Sequence, residues 1–248
     1  MTLEKLNKPS TVIVIGRAHS GTRILPDAMK DTGIYFGEPL NVASDLMPPD
    51  KMYEACRIFG PYVDRVDKYE WSFERALNAA IPKEFVQKLE EYLASLINSD
   101  AEKLGWKIPN SNLIYPWLVR LLPEAKFIYW SRHPEGSTAV MMGIDRLEKW
   151  NVPCKKFLFH DFNYKMRAIS WKYHVDIVHQ TPKPKHFLQI RFEDYIANQV
   201  EVKQQVETFV NSKLKMLELN PTKAAAPKRN WGERYPFIKP EMDLLGYQ

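Results

Sequence analysis

The chain has 248 residues, 45% hydrophobic and 12% aromatic, enough apolar material for the full core of one domain and too much for a disordered chain. Its formal net charge of +5 on 26% charged residues falls well short of the lopsided basic balance of a dedicated nucleic-acid binder and suits a small polyanionic ligand better. Cys56 and Cys154 stand far apart without Cys or His companions, which argues against a zinc site or disulfide framework. The opening MTLEKLNKPS lacks a signal-peptide pattern and no run of apolar residues is long enough to span a bilayer, so no membrane span and a reducing cytoplasmic location are expected.

Thr11 to Ile15 is a run of β-branched residues between Pro9 and Gly16 and reads as a buried parallel strand. A glycine-bearing loop follows. From Gly21 to about Asp31, Ile24, Leu25, Ala28 and Met29 recur at helical spacing, with Pro26 placed to kink the first turns. Ile34 to Phe36 reads as a second strand. Residues 39–81 carry Pro48-Pro49, Pro61 and scattered aromatics without a sustained period, and read as a covering or substrate-facing excursion. Its Tyr53, Phe59, Tyr62, Tyr69, Trp71 and Phe73 either line an acceptor pocket or complete the core.

Pro82 opens a helix whose stripe of Phe85, Leu89, Tyr92, Leu93 and Leu96 predicts an end near Asn98. After Trp106-Lys107-Ile108 a helix is expected from about Ser111 to Leu122, then a strand over Lys126 to Trp130 ending at Ser131-Arg132. A helix over roughly 160–179, a strand at His186 to Ile190 and a helix from about Val200 to Leu214 follow, before a tail from Pro221 with no clear helical face. This alternation predicts one α/β domain over 1–248, a central parallel sheet with helices on both faces.

The segment Gly16-Arg17-Ala18-His19-Ser20-Gly21-Thr22-Arg23 lies between strand and helix, where backbone N–H groups converge on an anion. Gly16 and Gly21 have Walker A spacing, but Thr22-Arg23 replace its Lys-Ser/Thr, which counts against an ATP or GTP phosphotransferase. A nucleotide or small-molecule kinase remains an alternative, as does a catalytically silent nucleotide-binding homologue. VIVIGRAHSGTRIL resembles the 5′-phosphosulfate loop of sulfotransferases that use 3′-phosphoadenosine 5′-phosphosulfate. The resemblance implies a P-loop NTPase-like sulfotransferase fold in which the backbone of residues 18–23 and the Ser20, Thr22 and Arg23 side chains wrap the phosphosulfate, with Arg17 a further cofactor contact. Where the family commonly carries Lys or Arg before Ser/Gly-Gly-Thr this chain has His19, with Arg17 two residues earlier; these two are the candidates for stabilising the leaving phosphate oxygen.

LLPEAKFIYWSRHPEG resembles the family's strand ending in Arg-x-Pro, which makes Arg132 the candidate for the cofactor's 3′-phosphate. The family's serine eight residues on is Val140 here, leaving Ser137 and Thr138 as replacements. Gly105 to Pro109 resembles the Lys-Thr-Pro segment, with Lys107 a candidate substrate contact, and Ile190 to Tyr195 resembles a late Arg-Tyr-Glu-Asp-Leu segment whose Glu193 and Asp194 are expected to cap and pair. Gly37-Glu38 resembles the Gly-Glu of tyrosylprotein sulfotransferases, whose glutamate is the base, so Glu38 is the candidate to take the acceptor's proton; His160 and His174 are weaker candidates. The reaction implied is metal-free sulfuryl transfer to a hydroxyl or amine of a small-molecule, carbohydrate or peptide acceptor, releasing adenosine 3′,5′-bisphosphate.

Overall fold

The computed structural model describes residues 2–140, 142–154, 162–215 and 230–247. The elements in chain order are β1 (Thr11–Ile15), α1 (Ile24–Met29), β2 (Ile34–Tyr35), α2 (Asp50–Phe59), β3 (Asp64–Asp67), β4 (Glu70–Ser72), α3 (Glu74–Asn78), α4 (Lys83–Tyr92) and α5 (Ala94–Ile97). They continue with β5 (Lys103–Lys107), α6 (Tyr115–Leu121), β6 (Lys126–Ser131), α7 (Pro134–Ser137), α8 (Phe162–His179), β7 (His186–Arg191), α9 (Phe192–Ala197), α10 (Gln199–Val210), α11 (Trp231–Arg234) and α12 (Lys239–Leu244).

Side-chain alternation along the strands builds two cores. In β1, Val12 and Val14 join one apolar cluster and Ile13 and Ile15 the other; in β6, Ile128 and Trp130 oppose Phe127 and Tyr129 in the same way. Both faces are apolar, so helices cover both. α1 and the Val202, Val206 and Val210 stripe of α10 cover the first face, while residues of α2, α4, α6 and α8 cover the second. Five parallel strands run in the order β2-β5-β1-β6-β7. β5 flanks β1 on one side and β6 on the other, so the loop after β1 lies at the switch point of the sheet, where ligands of open α/β proteins bind.

Several expectations change in detail. The 39–81 excursion contains α2, whose buried Met52, Ala55, Cys56 and Phe59 form an i, i+3, i+4, i+7 stripe that the flanking prolines obscure. Phe59, Trp71 and Phe73 belong to the core, and Tyr62 and Tyr69 pack against it. The helix expected over 82–98 is interrupted at Leu93, which ends α4 and precedes α5. The helix expected from Ser111 begins as a 3₁₀ turn over Pro109–Ile114 and becomes α-helical at Tyr115. The start of the helix expected near residue 160, His160 itself, and residues 221–229 of the tail lie outside the described residues.

Beyond residue 230 the tail forms α11 and α12 and returns to α8, where Lys172 Nζ meets Asp176 at 2.8 Å and Glu241 at 2.6 Å. It ends with the Tyr247 hydroxyl 3.1 Å from Ser131 Oγ at the end of β6. Among the described residues no helix is long and apolar enough to cross a membrane.

Candidate active site

The loop after β1 is braced from two neighbouring elements. Trp130 Nε1 of β6 donates to the Ser20 carbonyl at 2.7 Å, and a methyl group at Gly21 would run into the Phe192 ring at the start of α9. Gly16 lies so close to the Trp130 carbonyl that any side chain there would displace backbone. Within the loop the Ser20 N–H donates to the Arg17 carbonyl at 3.2 Å. The N–H groups of Ala18, His19, Gly21, Thr22 and Arg23 donate to no partner among the described residues. Five open donors over residues 18–23 are the kind of group an anion-binding nest is built from.

Arg17 points into the protein. Its Nη2 forms an ion pair with Asp145 and its Nη1 donates to the carbonyls of Ser137 and Ala18. Asp145 in turn accepts the Met142 N–H on Oδ2 at 2.8 Å, so one buried pair ties the loop, α7 and the 142–145 turn together. Burial opposes the guanidinium charge and Asp145 supports it.

His19 adopts a left-handed conformation (φ 63°) and stands exposed, its Nε2 3.1 Å from Met142 Sδ. Partial burial, then the charge of Arg17, hold its pKa below the ordinary histidine value; Asp145 pulls the other way. Ser20 and Thr22 are buried, whereas Arg23 is exposed, 3.8 Å from Asp27 and 3.4 Å from the Val42 carbonyl.

Arg132 lies beside this loop. Its Nη1 donates to the His19 carbonyl at 3.2 Å, and its guanidinium carbon stands 4.1 Å from the centre of the Phe192 ring. Gly136 packs directly beneath it, so that a side chain there would have to displace the guanidinium. Ser137 is fully buried; its carbonyl accepts from Arg17 and its hydroxyl has no partner among the described residues. Glu193 accepts the His133 N–H at 3.0 Å, and Asp194 grips Arg191 through both oxygens at 2.8 and 2.5 Å, the structural roles expected of that segment.

The other flank of the loop opens on a cavity of about 350 Å³, whose lining includes Ala18, Asp45, Tyr53, Arg57, Lys149 and Trp150. Lys107, at the end of β5, is buried and pairs with Asp45 at 2.6 Å while donating to the Ala43 carbonyl. Burial lowers the Lys107 pKa and Asp45 opposes that shift.

Glu38 is exposed and does not line this cavity. Its N–H donates to Ser95 Oγ at 3.3 Å, and its charge lies close enough to Tyr35 to raise that hydroxyl's pKa, after burial, the larger cause. The strand that leads to Glu38 is not the neighbour of β1: β5 lies between β2 and β1, a separation of about 10 Å across two strand spacings. His174 is buried deep against Asn112, at 2.9 Å, with its pKa far below normal through burial, and it too is absent from the lining.

Asp145, Asp45 and Phe192 escaped the sequence reading as site residues. Asp145 is 128 positions from Arg17 and carries no local signature. Asp45 sits in the prolonged irregular stretch, and only Phe192 lay within a matching motif.

Fold and site together define an α/β protein with a basic loop at the switch point of a parallel sheet and a second basic turn on the neighbouring strand. The sequence profile of the sulfotransferase family matches residues 11–215, and the chain belongs to that family. No curated protein matches it in sequence. The sulfotransferase domain from the curacin biosynthetic pathway superposes with a TM-score of 0.54 at 13% identity, over 96% of this chain and 97% of that one. A sulfotransferase from Alicyclobacillus acidocaldarius gives 0.51 at 12% identity, over 96% of both chains. Sulfotransferase STF9 from Mycobacterium avium gives 0.53 at 13% identity, over 96% of this chain and 77% of that one. Identities this low establish a shared fold and leave donor and acceptor to be argued from the site.

Proposed function

We propose that the protein transfers a sulfuryl group from 3′-phosphoadenosine 5′-phosphosulfate to a hydroxyl or amine of an acceptor. The observation that carries this reading is the junction of the open N–H groups of residues 18–23 with Arg132, whose guanidinium touches the His19 carbonyl. A nest of N–H donors suits a 5′-phosphosulfate, and a half-buried arginine one contact away suits a 3′-phosphate. Bound there, the donor supplies an activated sulfuryl group whose leaving group is a phosphate oxygen.

The chain's own residues then divide the work. The loop N–H groups and Ser20, Thr22 and Arg23 would hold the 5′ end, and Arg132, its guanidinium stacked on the Phe192 ring, would hold the 3′-phosphate. Arg17 keeps the loop in shape through Asp145 and the Ser137 carbonyl. His19, whose imidazolium a facing anion would favour, would stabilise the leaving oxygen. Trp130 and Phe192 fix the loop from behind, so its donors are oriented before the ligand arrives.

A thermal-shift panel tests the reading. Adenosine 3′,5′-bisphosphate at 100 times its Kd should stabilise the fold by about 2.7 kcal/mol through mass action, and ATP with magnesium far less. The reverse ranking refutes the proposal in favour of a nucleotide kinase. Bisphosphate binding without sulfuryl transfer to any acceptor identifies a silent homologue.

A further inference from the structure

We propose that the cavity beside Ala18 takes a small hydroxylated ring bearing an acidic group, its hydroxyl on Asp45 and its acid on Arg57 and Lys149; this rests on the sulfuryl-transfer reading above. Ala18 belongs to the loop after β1 and Ile108 follows the last residue of β5, so the cavity opens at the strand ends where the sulfuryl group would be presented.

Asp45 is the one carboxylate in the lining among the described residues. Lys107, 3% exposed, engages its Oδ1 at 2.6 Å, and Asn41 donates to its Oδ2 at 3.2 Å. A carboxylate oxygen has two acceptor sites, so each retains capacity for an acceptor hydroxyl, and the 17% exposure of the side chain leaves it reachable. Transfer then balances: the acceptor oxygen bonds to sulfur as the bond from sulfur to the phosphate oxygen breaks. The bisphosphate leaves with the electron pair, and the hydroxyl proton passes to Asp45 and on to water.

The remainder of the lining selects the ring and the acid. Tyr53 and Trp150 stand 5.2 Å apart at 60°, with Met47, Pro49 and Pro109 supplying apolar flanks. Arg57 lies one turn beyond Tyr53 on α2, 5.8 Å above the Trp150 ring, and donates from Nε to the Lys149 carbonyl at 3.3 Å. Neither Arg57 nor Lys149 forms an ion pair among the described residues. Both line the cavity, so an acidic ligand there would meet two cations that lack an anionic partner among the described residues. Tyr53 feels both ends: burial, then Asp45, raise its pKa, and Arg57 opposes them. A volume of about 350 Å³ falls at the small end of ligand sites, enough for one ring with a short acidic arm.

The test compares 4-hydroxyphenylacetate with 4-hydroxyphenylacetamide as acceptors, which share ring and hydroxyl and differ in charge. The acid should have a kcat/KM at least about tenfold higher, the discrimination one charge-assisted contact supplies. Arg57→Ala with Lys149→Ala, both exposed positions, should erase that preference through KM and leave the amide within about threefold. Asp45→Asn should lower kcat for both acceptors by about 10²–10⁴ while bisphosphate stabilisation persists, and Glu38→Gln should stay near native. A preference for the amide, or one that survives the double variant, overturns the proposal. Calorimetric titration of the acid into bisphosphate-loaded protein provides the second readout, with binding expected in the native chain and lost in the double variant. No binding by a protein that the bisphosphate does stabilise overturns the acceptor proposal alone. Failure of the bisphosphate to stabilise the fold brings down the sulfuryl-transfer reading itself.

Discussion

Removing the carboxylate of Asp145 should cost the protein heavily, because it strands a buried guanidinium. The side chains of Arg17 and Asp145 are 2% and 0% exposed, so water cannot take over from either partner. Breaking a buried pair by deleting one member typically costs about 3–5 kcal/mol, while replacing both members by apolar groups is often close to neutral. At about 2–4 °C per kcal/mol for a chain of this size, Asp145→Ala should lower Tm by about 6–20 °C. Arg17→Met should move Tm in the same direction, and Arg17→Met with Asp145→Leu should recover most of the loss. Thermal melts followed by circular dichroism on the native chain, Arg17→Met, Asp145→Leu and the double variant give the coupling energy of the cycle. Bisphosphate affinity measured alongside should follow loop integrity, falling in both single variants. If Arg17 instead lends its charge to the leaving phosphate, Asp145→Ala frees that charge and spares or tightens bisphosphate binding. Arg17→Met would then abolish binding with Tm unchanged. That pattern would falsify the buried-pair argument.

The remaining predictions concern the two basic groups at the anion. Arg132→Ala should weaken adenosine 3′,5′-bisphosphate about 10- to 150-fold, the worth of a charge-assisted bond, while adenosine 5′-phosphate, lacking the 3′-phosphate, changes little; equal losses remove Arg132 from that role. Gly136→Ala should reproduce part of this loss in a folded protein, since its methyl displaces the guanidinium above it. His19 starts with a lowered pKa and gains a facing anion on binding, so the complex holds more protons than the free protein between the two pKa values. Affinity should therefore strengthen as pH falls through that window and weaken as it rises; subtracting the pH profile of His19→Gln cancels the titration of the phosphates themselves, and identical profiles rule out an imidazolium contact. His19→Lys, with an ammonium that titrates near 10.4, should keep tight binding past the window.

Local chemistry was legible in the amino-acid sequence because it acts over a few residues. The β-branched run from Thr11 to Ile15 admits little besides a buried strand, and the glycines at 16 and 21 mark the turn that exposes backbone donors. The repeat of strand and basic turn at Arg132 follows the same logic, and with the loop it sufficed for the family resemblance. The stripe of α2 was present as well, hidden among prolines that sit outside the helix. Lateral and long-range relations were a different matter. No local pattern states that β5 inserts between β1 and β2, so that Glu38 follows a strand two places from β1 while Lys107 ends the strand beside it and pairs with Asp45. None states that Arg17 meets a carboxylate 128 residues later. Spacing and turn chemistry are properties of neighbours in the chain. Which charge faces a ligand and which is buried against a partner is decided by burial, and burial exists only once the strands are ordered and the helices have covered both faces of the sheet.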